Sequence, residues 1–174
     1  MTEIGHRAIT TPLLLLDLLL TAGLPWPTIL YTILMDEIMV VTGLVGALIQ
    51  SRYKVFHLSH YNPPKLSKTN ETQWGLYSFG CAAFLFIVWN VGFVAPKYAK
   101  ALGSDIHRTF LLCGVWTLSL WFLYPVAWGL CEGGNVISPD SEAAFYGVLD
   151  VLAKPGFGAL LIWGHRGIDP ARLG

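Results

Sequence analysis

The chain has 174 residues, no formal net charge at neutral pH, 54% hydrophobic residues and only 13% charged ones. That is about half the charge of a soluble domain, and it is gathered between long apolar runs instead of alternating with them. The pattern excludes an ordinary water-soluble core and marks a membrane protein, while the balanced charge lacks the basic face that nucleic acid binding requires.

In chain order, the first apolar run covers residues 8–24 and is short for a membrane span. Residues 23–28 read GLPWPT, a tight turn made of helix breakers. Runs at 28–50, 74–95, 107–130 and 141–164 each supply the roughly 20 residues that a crossing helix needs. Only helices can cross in this way, because lipid offers the backbone no hydrogen-bond partner. Residues 1–174 are therefore expected to form one all-α domain, a multi-pass membrane helix bundle of five spans.

The connections differ in character. Residues 51–73 are polar, hold Pro63-Pro64 and show no period, so they read as a surface loop or disorder. Residues 95–105 carry Lys97 and Lys100, and residues 131–142 are acidic and rich in glycine. If the spans alternate, Lys97, Lys100, Arg108, Arg166 and Arg172 share one side, against Arg52, Lys54, Lys65 and Lys68 on the other. The positive-inside rule nearly ties. Cys81, Cys113 and Cys131 are scattered without the spacing of a metal site or disulfide framework. His57, His60, His107 and His165 lack metal spacing as well, and no enzyme active site is expected.

The last span holds the chain's most unusual pair. Lys154 lies near its middle, where a charge costs at least ~2.5–3.5 kcal/mol on insertion scales. Asp150 is four residues earlier, on the same helix face. The pair is either structural or functional. A desolvated amine is a good nucleophile toward an aldehyde, and the cation formed there needs a nearby anion. In the fourth span, Trp121, Tyr124, Pro125 and Trp128 recur at helical spacing on one face. Such a wall opposite a buried lysine suits a long, flat, apolar ligand. Asp17 and Asp36 also lie within spans. Each could relay protons or simply bond one helix to another.

Four stretches carry a resemblance: TTPLLLLDLLL (10–20), MDEIMVVTGLVGAL (35–48), WFLYPVAWGL (121–130) and LDVLAKPGFG (149–158). Together they resemble the microbial rhodopsins, and among them the fungal, bacteriorhodopsin-like opsins. The resemblance implies a normally seven-helix rhodopsin fold, of which the five segments look like helices three to seven. It implies all-trans retinal bound to Lys154 as a protonated Schiff base, with Asp150 in its counterion complex. Trp121, Tyr124, Pro125 and Trp128 would line the retinal together with Thr11, Leu14, Met39 and Gly43. Asp17 matches the proton donor on the cytoplasmic side, and Glu132 and Glu142 match the acidic pair near the release side. Asp36 matches a carboxyl that bonds Thr11 between helices.

The function implied is light-driven proton pumping in the plasma membrane. A photosensory role without efficient pumping and an inert, retinal-free fragment are the alternatives. The lipid bilayer, retinal and protons are the expected partners, and relatives suggest a homo-oligomer. The chain departs from the pattern at its start. The positions for an arginine and the primary proton-accepting aspartate hold Glu3 and His6, and a tryptophan position holds Arg7. A histidine cannot serve as an anionic acceptor, so impaired pumping is expected of the chain as written. Residues 1–7 and 55–73 have no counterpart in the family pattern and are expected to reflect a missed upstream exon and a translated intron.

Overall fold

The computed structural model describes residues 2–56, 66–129 and 139–166. They form helix α1 (Thr2–Thr21), α2 (Trp26–Phe56), α3 (Leu66–Trp89), α4 (Ala95–Leu102), α5 (Ser104–Trp128), α6 (Pro139–Val151) and α7 (Phe157–His165). Two wide π-helical turns, Asn90–Val94 and Leu152–Gly156, join α3 to α4 and α6 to α7. The helices thus make five continuous rods. Trp26–Gly46, Trp74–Leu102, Ser104–Trp128 and Ala143–His165 are each long and apolar enough to cross a bilayer, and Ala8–Thr21 is a shorter apolar helix. The protein is an integral, multi-pass, all-helical membrane bundle.

Local chemistry explains the rod ends. Gly23, at φ 68°, makes the turn between α1 and α2, a conformation open mainly to glycine. Pro27 then falls in the first turn of α2, where its missing N–H is no loss. Gly103, at φ 144°, separates α4 from α5. Pro96 follows the first wide turn and Pro155 lies within the second. In the second, Pro155 offers no N–H to the Val151 carbonyl. The five-residue spacing of a π turn lets the Gly156 amide take its place.

Two expectations need correction. The polar segment 51–73 is not all loop: α2 runs on to Phe56 and α3 starts at Leu66. The sequence on both sides of Pro63-Pro64 contains no helix breaker, so each neighbouring helix extends toward the prolines. Residues 57–65, which contain them, lie outside the described residues. Residues 95–105 are likewise not a loop. Lys97 and Lys100 sit on α4, and the connection shrinks to Gly103, because every other residue there suits a helix once Pro96 occupies a first turn.

The core lies among α1, α2, α3 and α5. α1 buries Leu14, Leu15, Leu18, Leu19 and Ala22, one helical stripe, against Phe84, Ile87, Phe110 and Cys113. Ile9, Leu13, Val115, Phe122, Val151 and Ile162 point outward, as suits a surface facing hydrocarbon. Two threonine hydroxyls in the second span are satisfied by their own helix. Thr32 Oγ1 donates to the Thr28 carbonyl at 2.7 Å and Thr42 Oγ1 to the Ile38 carbonyl at 2.8 Å, so neither hydroxyl needs water.

α5 holds the α6–α7 rod at three levels. Tyr124 Oη donates to Asp150 Oδ1 at 2.6 Å, Trp116 Nε1 to the Leu152 carbonyl at 3.1 Å, and Thr109 Oγ1 to the Gly164 carbonyl at 3.1 Å. The partners ascend in one rod as they descend in the other, so the two run antiparallel.

Candidate functional site

The aromatic face of α5 borders a cavity of about 370 Å³, within the range of small-molecule pockets. Trp121, Tyr124, Pro125 and Trp128 line it as their spacing predicts. Thr11 and Leu14 enter from α1, Met39 and Gly43 from α2, and Asp150 and Lys154 from the α6–α7 rod. The nine residues expected to hold a ligand, and Asp150 with them, therefore surround one space.

At one wall, Lys154 Nζ lies 3.6 Å from Asp150 Oδ1, and both side chains are partly buried. The same oxygen accepts the Tyr124 hydroxyl at 2.6 Å. Tyr124 thus orients the carboxylate toward the amine, and the Tyr146 ring lies 6.0 Å from the Tyr124 ring. The bilayer and the apolar lining weaken dielectric screening, so this attraction exceeds that of a surface pair.

Another wall comes from α3, whose contribution sequence reasoning missed. Tyr77, Gly80, Cys81 and Phe84 all border the cavity. Their spacing of three, four and seven residues is a helical face and could have flagged them. The Tyr77 ring stacks on Trp128 at 4.6 Å with 14° between planes, and its hydroxyl donates to the Pro125 carbonyl at 3.1 Å. Trp74 stands edge-on to both rings. Gly80 lets α2 and α3 approach: a methyl group there would lie 2.9 Å from Thr42 Oγ1.

The other expected residues lie elsewhere. Asp17 is on the exposed face of α1, about 9 Å along the axis beyond Thr11, and does not border the cavity. Asp36 is completely buried. Thr11 is the side chain that interacts with it, although neither carboxyl oxygen has a partner in full hydrogen-bond geometry among the described residues. Glu132 lies outside the described residues, as does the side chain of Glu142, whose backbone belongs to α6.

Retinal fits this lining on chemical grounds. The cavity is apolar, flanked by indole and phenol planes, and carries one amine with one carboxylate beside it. Those are the groups that a long polyene aldehyde requires for capture and for charge balance.

Comparison with known proteins agrees with the architecture. The family described as "Bacteriorhodopsin-like protein" matches residues 8–167. The chain is 57% identical over 166 residues to the opsin-like protein carO of Fusarium fujikuroi, covering 95% of this chain and 48% of that protein. It is 37% identical over 166 residues to Opsin-1 of Neurospora crassa, covering 95% and 49% respectively. The solved structure of the light-driven proton pump LR (Mac) from Leptosphaeria maculans superposes with a TM-score of 0.82 at 35% identity. That match covers 99% of this chain and 62% of the other. The chain thus spans about half the length of the curated relatives it matches.

Proposed function

Since the chain belongs to the bacteriorhodopsin-like family, we propose that its cavity holds all-trans retinal on Lys154 and that the protein is a light-driven proton pump of the plasma membrane. The observation that carries this reading is the Lys154 amine, in an aromatic cavity, 3.6 Å from Asp150. The likeness to a fungal structure described as a light-driven proton pump supports the transport part.

When bound, retinal supplies absorption of light and an isomerisation. The chain's own residues do the rest. Lys154 holds the ligand covalently through Nζ. Asp150 provides the balancing negative charge, and the Tyr124 hydroxyl keeps that carboxylate in place. Trp121 and Trp128 confine the ligand in a slot and keep water out. Thr11, Leu14, Met39, Gly43 and Pro125 complete its walls. Asp17 stores a proton for return to the Lys154 nitrogen, and Glu132 and Glu142 pass one out on the opposite side.

A second reading is light sensing without efficient transport. It follows from His6, which stands where the resemblance expects the primary acceptor carboxylate and which cannot supply an anion there. Both readings share the chromophore, and both allow a homo-oligomer.

The test is direct. The chain expressed with all-trans retinal should gain a retinal-dependent absorption band, and borohydride should fix the ligand to the peptide containing Lys154. Lys154→Ala should remove both. Correctly inserted protein without such a band would overturn the reading. Light-driven acidification of a cell suspension, abolished by a protonophore, separates pump from sensor.

A further inference from the structure

Lys154 stands in the wide turn Leu152–Gly156. Pro155 breaks the α-helical bond there, but a missing N–H does not by itself fix which register the turn adopts. A turn of this kind costs hydrogen-bond geometry relative to α-helix and is held by its surroundings. Its outer side lies in a membrane-spanning segment, where Leu152 is exposed and no water can pair with a loosened carbonyl. One side chain answers both needs. Trp116 of α5 donates its indole N–H to the Leu152 carbonyl at 3.1 Å.

The same ring covers Gly156. A methyl group at Gly156 would lie 3.4 Å from Trp116 Cζ2 and 3.7 Å from Nε1, ordinary contact distances, so the indole lies directly against this residue and leaves no room for a larger side chain. The indole therefore grips both ends of the turn, two residues before Lys154 and two after it. Two residues are about half a helical turn, which puts the grip behind the helix and Lys154 in front, on the cavity side. Trp116 itself does not border the cavity.

We propose that Trp116 is a positioning residue: its N–H on the Leu152 carbonyl and its ring on Gly156 hold the wide turn that directs Lys154 into the cavity. Without the clamp, the segment exchanges with other registers, and each one-residue change rotates the downstream helix by about 100°. The inference rests on reading Lys154 as the ligand's attachment point, but its test does not.

The experiment compares the full chain, in lipid nanodiscs and without retinal, with Trp116→Phe and Gly156→Leu. Phenylalanine keeps a ring but removes the donor, and leucine, whose chain extends beyond a Cβ already in contact with the indole, pushes it off its seat while leaving its N–H intact. Amide hydrogen exchange should rise about tenfold over residues 152–157 in both variants, the change in opening that one net hydrogen bond supplies. Exchange over residues 143–149 should stay as in the parent. With retinal added, both variants should lose the chromophore to hydroxylamine faster in the dark and show a displaced absorption maximum. Local exchange unchanged in Trp116→Phe would overturn the proposal, because a tryptophan that only packs tolerates phenylalanine. A rise spread evenly over all helices would overturn it too. A parent chain that takes up no retinal would defeat the proposed function, yet the exchange comparison would still decide the clamp.

Discussion

Asp150 and Asp36 are both carboxylates inside spans, and their surroundings give them different work. Asp150 borders the cavity, 3.6 Å from the Lys154 amine and 2.6 Å from the Tyr124 hydroxyl. Asp36 is sealed between helices and does not border the cavity, standing behind Thr11 of its wall. Asp150→Asn should therefore move the retinal-dependent band to longer wavelength, because an anion beside the chromophore's cation localises its charge and removing that anion spreads it. Asp36→Asn should leave the band in place while changing stability by about 1–3 kcal/mol, the range for altering a buried polar group. Absorption spectra and denaturant titration of the two variants check this. Tyr124→Phe should cost about 1 kcal/mol, the net worth of one buried hydrogen bond, and should also shift the band. At this scale much was legible beforehand. Lysine and aspartate are so costly within a span that their mere presence pointed to one another. Tyr77 and Cys81 gave no such signal, since an aromatic ring or a small thiol in a span is ordinary packing material.

Among elements, two close approaches hold the cavity's frame. α2 and α3 meet where Gly80 faces Thr42, and α5 meets α7 where Gly164 faces Thr109. A side chain at either glycine collides with a neighbour that is itself held by a hydrogen bond, Thr42 to the Ile38 carbonyl and Thr109 to the Gly164 carbonyl. Gly80→Ala should therefore cost about 1–3 kcal/mol, in the range of overpacking, and Thr42→Ala in the same chain should recover part of it. At the second contact, the Thr109 methyl is the atom nearest the added group. Thr109→Ser should accordingly recover part of the cost of Gly164→Ala, since Oγ1 and Cβ stay at 3.2 and 3.3 Å from the added group, while keeping the hydroxyl that bonds the Gly164 carbonyl. Thermal unfolding in detergent measures both pairs. These glycines were visible in the sequence, but their partners are 38 and 55 residues away, and no local pattern links them.

For the whole molecule, the contacts decide which ends of the rods gather together. The Gly23 turn lies against Leu102, and Thr109 bonds Gly164. The α1–α2 turn, the α4–α5 break and the end of α7 therefore share one end of the bundle. Lys97, Lys100, Arg108 and Arg166 are exposed near that end, but the sequence sets Arg52, Lys54, Lys65 and Lys68 against them, and these nearly balance them under the positive-inside rule. It is therefore the proposed role of Asp17, near the Gly23 turn, as cytoplasmic proton donor that puts this end in the cytosol. A cysteine placed at exposed Ser104 should react with a membrane-impermeant maleimide only when the cytosolic face is opened. Labelling of intact cells would reverse the orientation.

The sequence alone settled that the chain is a helical membrane protein, and it singled out Lys154 and Asp150 as the pair whose burial needs a reason. Hydrophobic length and the cost of burying charge act locally along the chain, so both can be read without knowing any neighbour. It also carried the family motifs, later matched over residues 8–167. Only the tertiary structure brought the α3 face to the cavity, drew the helices through residues expected to be loop, and set Trp116 behind the turn that carries Lys154. Those outcomes depend on which helix lies beside which, and even where a helical face such as Tyr77, Gly80, Cys81 and Phe84 is periodic, its spacing does not say which segment it meets.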